Sequence, residues 1–363
     1  MHIKKIKINN YRNYNEAEIS FHEKMNILYG DNAQGKTNIL ESIYICATTK
    51  SHQGSKDKEI IKMGCDEAHV KMYIEKEGLE HYIDLHLKKN KPKGIAVNGI
   101  PIKRSAELMG IINIVLFSPE DLNIIKNGPS ERRRFIDMEL CQLSRIYLDN
   151  LYRYSKVLNQ RNHLLKQISY NESLKETLSV WDEQLIKYGT EIIKERKEFI
   201  EQINNISADI HKKLTGEKEF LNIQYEPNVD AEEFADKLYK NYNRDIYYQI
   251  THTGPHRDDI KFISNDMDLR TYGSQGQKRT AALSLKLSEI EIVKKKTGDI
   301  PVLLLDDVLS ELDRNRQNYL LESIDDVQTI ITCTGLEEFI NHSLDVNRIY
   351  KIENGNVTDI EMR

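Results

Sequence analysis

The chain has 363 residues, 39% of them hydrophobic, which is enough for a core of ordinary size plus a second lobe or insertion. Its 52 lysines and arginines are outnumbered by 57 aspartates and glutamates, so the formal charge is −5; this excludes a uniformly basic coat and confines any nucleic-acid contact to local patches. No apolar run approaches the roughly 18 residues of a membrane span. "MHIKKIKINN" begins as a strand without the apolar core of a signal peptide, so a cytoplasmic protein with no membrane partner is expected. Cys46, Cys65, Cys141 and Cys333 are far apart and form no CxxC pair, which indicates neither a zinc ribbon nor a disulfide framework.

Along the chain, Ile6, Ile8, Ala17, Ile19 and Phe21 alternate with polar residues, as strands with one wet face do. "MNILYG" then turns continuously apolar, which predicts a buried strand ending at Gly30, followed by a helix over about 35–47. Residues 70–102 predict short strands with a "KKNKPKG" turn and an Asn98-Gly99 hairpin, and "IINIVLF" another buried strand. "SPEDLNIIKNGPS" carries a helix start at Ser118 and Pro119 and a stop at Gly128-Pro129. From about 130 to 215 the period becomes helical. Tyr147, Leu151, Tyr154, Leu158, Arg161, Leu165 and Ile168 keep a four-three spacing, and so do Leu174 through Ile210, with Glu195 as the lapse. Two such helices around "SYNES" predict an antiparallel hairpin, either projecting or folded into a compact lobe, whose first arm is about 40 Å long at ~1.5 Å per residue. Strands resume with "DDIKFIS", "PVLLLDD" and "VQTIITC". The expectation is an α/β fold with mixed sheets, residues 1–128 and 248–363 forming one domain (with a β subdomain at about 66–117) and 129–247 an all-helical insertion.

"GDNAQGKT", Gly30 to Thr37, fits G-x-x-x-x-G-K-[ST] between a strand and a helix, the context in which this pattern cradles a triphosphate. The backbone of Gly30, Asp31, Asn32, Ala33, Gln34 and Gly35 would wrap the phosphates, with Asn38 beside them. Lys36 would reach the β and γ phosphates, and the Thr37 hydroxyl would ligate Mg²⁺. "VLLLDD" supplies the complementary acids: Asp306 for the Mg²⁺ shell and Asp307 to position or deprotonate the attacking water. ATP and Mg²⁺ are the expected cofactors.

"GSQGQ", with Ser274, Gln275, Gly276 and Gln277, resembles the signature of ABC ATPases, and "SELD", ending in Asp313, resembles their D-loop. In that family the signature serves the nucleotide of a second protomer, which implies a homodimer closed by ATP. End to end, the chain resembles the RecF family of bacterial recombinational-repair ATPases. The matching words are "NYRNY", "GDNAQGKTNILESI", "KSHQGSKDKEII", "LFSPEDL", "NGPSERRRFID", "THTGPHRDDI", "YGSQGQKRT" and "LLLDDVLSELD". The resemblance implies an ABC-type head with a P-loop core and a weak, DNA-stimulated ATPase used as a DNA-binding switch. It further implies binding to double-stranded DNA near single-strand gaps, and work with RecR and RecO to load RecA. It would place Arg12 beside the adenine and ribose, Glu120 near the Q-loop position, and Thr334 near the switch position, where transporters have His. The family more often has Arg-Thr where this chain has Gln53-Gly54, a role that Lys50 or Lys56 would then take.

"GPHRDD", with His252 just before it, offers His252, His256, Asp258 and Asp259, to be read as metal ligands or, better, as a loop that presents Arg257 to the nucleotide or head interface. For DNA phosphates the candidates are Lys4, Lys5 and Lys7, then Lys56, then Lys88, Lys89, Lys91 and Lys93, and finally Arg132, Arg133 and Arg134; each is equally a solvated surface charge, and the three arginines, at a helix start, alternatively lend some of their charge to packing between lobes. Competing readings are an SMC-like organiser, a transporter's nucleotide-binding subunit and a nuclease-coupled repair ATPase. The short helical hairpin argues against SMC arms, and the absent switch His against a transporter.

Overall fold

The computed structural model describes residues 1–335 and 346–360. The chain divides into two units, Met1–Asp121 with Glu289–Arg363 and Leu122–Ser288. The expected breaks at 128/129 and 247/248 are therefore replaced by breaks at 121/122 and 288/289. The second shift has a plain cause: the strand Asp259–Ser264 pairs along its whole length with Leu221–Glu226, inside the inserted unit. The same long helix that precedes this sheet also binds the residues before the break, His211 to the Ser284 hydroxyl and Ser207 to the Ser288 hydroxyl.

In the first unit, an antiparallel sheet runs in the order Tyr14–Ser20, His2–Tyr11, Glu67–Lys76, Leu79–Lys88, Lys91–Val97, Ile100–Pro101. Ile3, Ile6 and Ile8 are all buried although Ile3 and Ile6 are three apart. A register shift between Ile3 and Lys5 against the neighbouring strand resets the alternation, which is what a bulge does. The β subdomain thus begins at residue 2 rather than 66, and Ile114–Phe117 leaves it for the other sheet.

That other sheet is ordered Asn356–Ile360, Arg348–Glu353, Met25–Tyr29, Thr329–Cys333, Val302–Asp306, Ile114–Phe117, parallel except for its first pair. Its central strands are buried along most or all of their length, which is why they read as unbroken apolar runs. Parallel pairing also carries the ends of Met25–Tyr29 and Val302–Asp306 to one edge, on either side of Cys333. Loops that leave this edge form the crevice in which open α/β sheets bind ligands. Among the described residues no helix is long and apolar enough to cross a membrane.

The second unit contains the helices Pro129–Leu143, Arg145–Ile168 and Leu178–Leu214. The last of these is about 55 Å long at ~1.5 Å per residue. The two longest pack against each other, and the helices Phe234–Lys240 and Tyr242–Tyr248 pack onto them, so the hairpin is part of a compact lobe. The lobe is not all-helical, because Leu221–Glu226, Asp259–Ser264 and Met267–Asp268 make a small sheet. The strand Leu221–Glu226 thus lies inside the stretch 129–247 that the sequence predicts as all-helical.

Two arginines stand where the helical period calls for apolar residues. Arg161, fully buried, donates to Asp182 (2.6 Å), Asp245 (2.7 Å) and the Thr251 hydroxyl (2.8 Å). Arg196, beside the lapse at Glu195, donates to Tyr147, Asp137, Asp258 and the Pro255 carbonyl. Such networks fix which face of each helix turns inward, because any other register leaves charge buried and uncompensated. They also account for "GPHRDD". Asp258 meets Arg196, Tyr225 and the Asn228 amide; Asp259 pairs with Arg132; His252 pairs with Asp245; and His256 bridges the Tyr154 hydroxyl and the Thr251 carbonyl.

Replacing Arg161 with Met leaves Asp182 and Asp245 without their cation and is expected to cost about 3–5 kcal/mol, read as a lowered urea midpoint for the transition of this unit. Burial, aided by Arg257 and Arg133, pushes the His256 imidazole down to about 4 against the opposing Thr251 hydrogen bond. Because this folded value lies below the unfolded one of about 6.5, the neutral ring's contribution is complete above about pH 6.5 and is lost as pH falls towards 4. The urea midpoint of the wild type should fall between pH 7 and 5, and His256→Gln should flatten that slope.

Candidate nucleotide site

The loop after the strand Met25–Tyr29 owes its shape to two glycines. Gly30 sits at φ +151°, and a Cβ there would come within 2.3 Å of the Ile352 carbonyl oxygen. Gly35, at φ +113°, would place a Cβ 2.6 Å from the Asn13 side chain and 2.9 Å from the Tyr14 hydroxyl. Only glycine suits both the left-handed backbone and these close approaches. The helix Lys36–Thr48 starts directly after the turn, so its free N–H groups face the loop. Lys36, buried, lies across the loop and donates to the Gly30 (2.6 Å) and Asp31 (2.8 Å) carbonyls.

Two turns hold the loop from outside. Asn13 donates to the Gln34 carbonyl and accepts from the Asn38 side-chain amide, while Tyr14 donates to the Gly35 carbonyl. From the C-terminal hairpin, the Asn354 and Gly355 amides donate to Gln34, one to its side chain and one to its carbonyl. "NYRNY" therefore supports the phosphate loop through Asn13 and Tyr14, for which the sequence alone gives no place in the site.

Across the sheet edge, Asp306 Oδ1 accepts from the Thr37 hydroxyl (2.9 Å) and the Thr332 hydroxyl (2.7 Å). Thr332 also accepts from the Asp307 amide at 2.9 Å, at a residue with φ +54°. Burial raises the Asp307 carboxyl above its ordinary value, with nearby Asp306 adding to the rise and Lys36 opposing it. A carboxylate so raised is a better proton acceptor. Asn32, Ala33, Gly35, Lys36, Thr37, Asn38, Asp306, Asp307 and Thr332 line a hollow of about 140 Å³. The Thr37 hydroxyl and the Asp306 carboxylate are hard oxygen donors at hydrogen-bond distance, which fits a shared Mg²⁺.

Arg12 lines a wider hollow of about 620 Å³ with Asn13, Asn38, Lys58, Lys62 and Met63 among others, and Asn38 belongs to both cavities. Arg12 forks onto the buried Glu41 with two 2.7 Å bonds and reaches Ser55 and Gln53, so the residue that stands in place of the family's Arg touches Arg12. Burial pushes the Glu41 carboxyl up, but its bonds from Arg12 and Ser51 more than reverse this and hold it below the ordinary range. Burial pushes the imidazole of His52, edge-on to Tyr44, below its ordinary value, against the opposing charges of Glu41, Asp306, Glu120 and Asp121. Glu41 and His52 lie within quoted words but gave no signal of their own, since a buried acid on a helix is visible only once its cation is placed.

Other expected residues have simpler surroundings. Glu120 is exposed in a short turn after Ile114–Phe117, and Thr334 is exposed one residue beyond the strand Thr329–Cys333. It is Thr332, two residues earlier, that touches Asp306. Asp313 caps the helix Arg314–Ser323 by accepting from the Arg316 amide.

In the second unit, Ser274, Gln275 and Gly276 are exposed at the start of the helix Gln275–Thr297. The Ser274 amide donates to the Gln277 side chain (3.0 Å) and the Gln277 amide donates to the Ser274 hydroxyl (3.2 Å), a reciprocal cap. Glu219 accepts from the Gln277 amide group and fixes the rotamer that makes the cap. The serine is thereby displayed at a positive helix end.

The basic candidates separate by partner. Lys4 pairs with Glu75 and Glu80, Lys5 and Lys7 share Glu18, Lys88 lies 3.6 Å from Glu67, Lys89 pairs with Asp66, and Lys93 with Asp57. Lys56 and Lys91 are exposed. Arg132 is a correction: 2% exposed, it is spent on Asp259 (2.5 and 3.0 Å) and on two carbonyls, so it cannot reach a phosphate. Arg133 donates to the Asp258 carbonyl, and burial lowers its basicity. Arg134 is exposed on the same helix.

A phosphate loop and acidic strand in a parallel sheet, a capped signature serine, and an inserted helical lobe define an ABC-type ATPase head of the SMC and RecF kind. The RecF/RecN/SMC N terminal domain model matches residues 2–358. A protein of Lachnoclostridium phytofermentans, "DNA replication and repair protein RecF", is 62% identical over 98% of this chain and 99% of its own length. A protein of the same description from Lachnospira eligens is 61% identical over 99% of both. The solved structure of "the recombination mediator protein RecF-ATP in RecFOR pathway" superposes with a TM-score of 0.90 at 38% identity and covers 99% of each chain. The chain belongs to the RecF family.

Thr332→Val removes the hydroxyl that orients Asp306 and accepts from the Asp307 amide while preserving volume. Steady-state ATP hydrolysis should fall about ten-fold or more, with ATP affinity little changed, because the phosphate loop does not depend on Thr332.

Proposed function

We propose that this chain is an ATP-gated DNA clamp of recombinational repair, in which hydrolysis serves as a slow release switch. The observation that carries the reading is the split distribution of the chemistry: Lys36, Thr37 and Asp306 meet in one crevice, whereas Ser274 is fixed by Gln277 and exposed on its own helix end. The triphosphate lies in the loop Gly30–Thr37 with the base side towards Arg12. Thr37 and Asp306 would hold Mg²⁺, which would supply charge neutralisation to the phosphates when bound. Asp307 orients the attacking water and takes its proton as the water oxygen bonds to the γ phosphorus and the bridging oxygen departs with ADP. Ser274 and the Gly276 amide of a second protomer bind the γ phosphate, so ATP closes a homodimer and loss of that phosphate opens it.

The closed dimer binds duplex DNA through phosphate contacts, for which exposed Lys56 and Lys91 are better placed than the ion-paired Lys4, Lys5 and Lys7. The relatives' description as replication and repair proteins and the neighbour's place in a RecFOR pathway support RecR and RecO as partners. Gapped single/double-strand junctions as the target, RecA loading as the outcome and a cytoplasmic, nucleoid-associated location belong to the same proposal. The expected low turnover follows from a site complete only in the dimer.

Light scattering on wild type and Ser274→Arg, with ATP, ADP or no nucleotide, tests the mechanism. The wild type should double in mass with ATP alone, and the variant should stay monomeric while still binding ATP. A variant that dimerises like the wild type would refute the role of the signature.

A further inference from the structure

On the wet face of the antiparallel sheet, His69 and His86 are directly paired across the strands Glu67–Lys76 and Leu79–Lys88. Their rings stack with centroids 3.7 Å apart and planes inclined by 27°. Glu67, two residues from His69 and so on the same face, brings a carboxylate oxygen to 3.0 Å from His86 Nε2. One ligand atom from each of the three lies within 4.8 Å of the other two; among the described residues this is the one such group of three. On the far side of His86 the register partner is Gly94, which puts no side chain against the imidazole.

We propose that Glu67, His69 and His86 form a binding site for a divalent transition cation of the zinc class, with water completing the coordination. Two imidazole nitrogens and one carboxylate oxygen suit Zn²⁺ and its neighbours, whereas Mg²⁺ prefers oxygen ligands and keeps most of its waters. In a tetrahedral site with bonds of about 2.0–2.2 Å, ligand atoms stand roughly 3.4 Å apart. The present separations are within side-chain rotation of that value, and the paired strands fix the backbone beneath them. Two further features favour a chelate over a chance surface cluster. The histidines come from different strands at one register level, so no helical or loop flexibility separates them. The carboxylate already points at an imidazole nitrogen, the interaction that a cation would replace on both sides. Binding exchanges the Glu67–Lys88 contact at 3.6 Å for a Glu67–metal bond, and so alters the charge presented by the "KKNKPKG" turn.

The test is calorimetric titration of the nucleotide-free full chain with zinc chloride in buffer containing excess Mg²⁺, on wild type, His69→Gln, His86→Gln, the double variant and Cys65→Ser. One equivalent should bind the wild type. Each single histidine variant should bind about ten-fold or more weakly, the double variant should lose that equivalent, and Cys65→Ser should titrate as wild type. Unchanged far-ultraviolet dichroism and ATP binding in the histidine variants would confirm that they fold. An isotherm that survives in the double variant, or is lost in Cys65→Ser, would overturn this ligand set. So would a wild type that takes up no zinc.

Discussion

One carboxylate oxygen organises the catalytic edge of this molecule. Asp306 Oδ1 accepts from Thr37, the first hydroxyl of the phosphate-loop helix, and from Thr332, near the end of the strand between them. Three chain segments, two of them 26 residues apart and the third 269 residues from Asp306, are thereby held at hydrogen-bond distance, and they remain so only because the strands are parallel and in register: Asp306 opposite Thr332, Thr332 opposite Leu28. A slip of one residue in either strand would turn its member of the pair, Asp306 or Thr332, to the other face of the sheet. The buried apolar runs that precede them supply the energy that forbids the slip.

Around that edge, support reaches the loop from both ends of the chain. The N-terminal turn at Asn13 and Tyr14 and the C-terminal hairpin at Asn354 and Gly355 both bond to Gln34 or Gly35. A loop rich in positive φ is costly in isolation, and these contacts keep its amides pointed inward before any phosphate arrives. Arg12 belongs to the same turn, and its fork onto Glu41 makes the base-side hollow share its foundation with the phosphate side.

The inserted unit is built on a different principle. Its long helices are not joined by an unbroken apolar seam; Arg161 and Arg196 interrupt it with buried, multiply bonded guanidinium groups. Each ties a helix to the "THTGPHRDD" segment, through Thr251 for one and Pro255 and Asp258 for the other. The polar character of that segment, suggestive of a metal or nucleotide loop, is explained by its task of neutralising the interior of the lobe.

The phosphate loop, its helix and the acidic strand were legible in the sequence because each is a local pattern: glycine where φ must be positive, four aliphatic residues before an acid; the signature serine was legible only by resemblance, and its cap by Gln277 only in the folded chain. The helical hairpin was legible for the same reason, from its period. Contacts between segments far apart in sequence were not. That Arg132 is buried against Asp259 while Arg134 is exposed, that Thr332 and not Thr334 meets Asp306, that Leu221–Glu226 is a strand paired with Asp259–Ser264, and that His69 stacks on His86 are all consequences of register and burial. Local propensity does not encode which of several lysines finds a carboxylate across a sheet, and only the folded chain decides it.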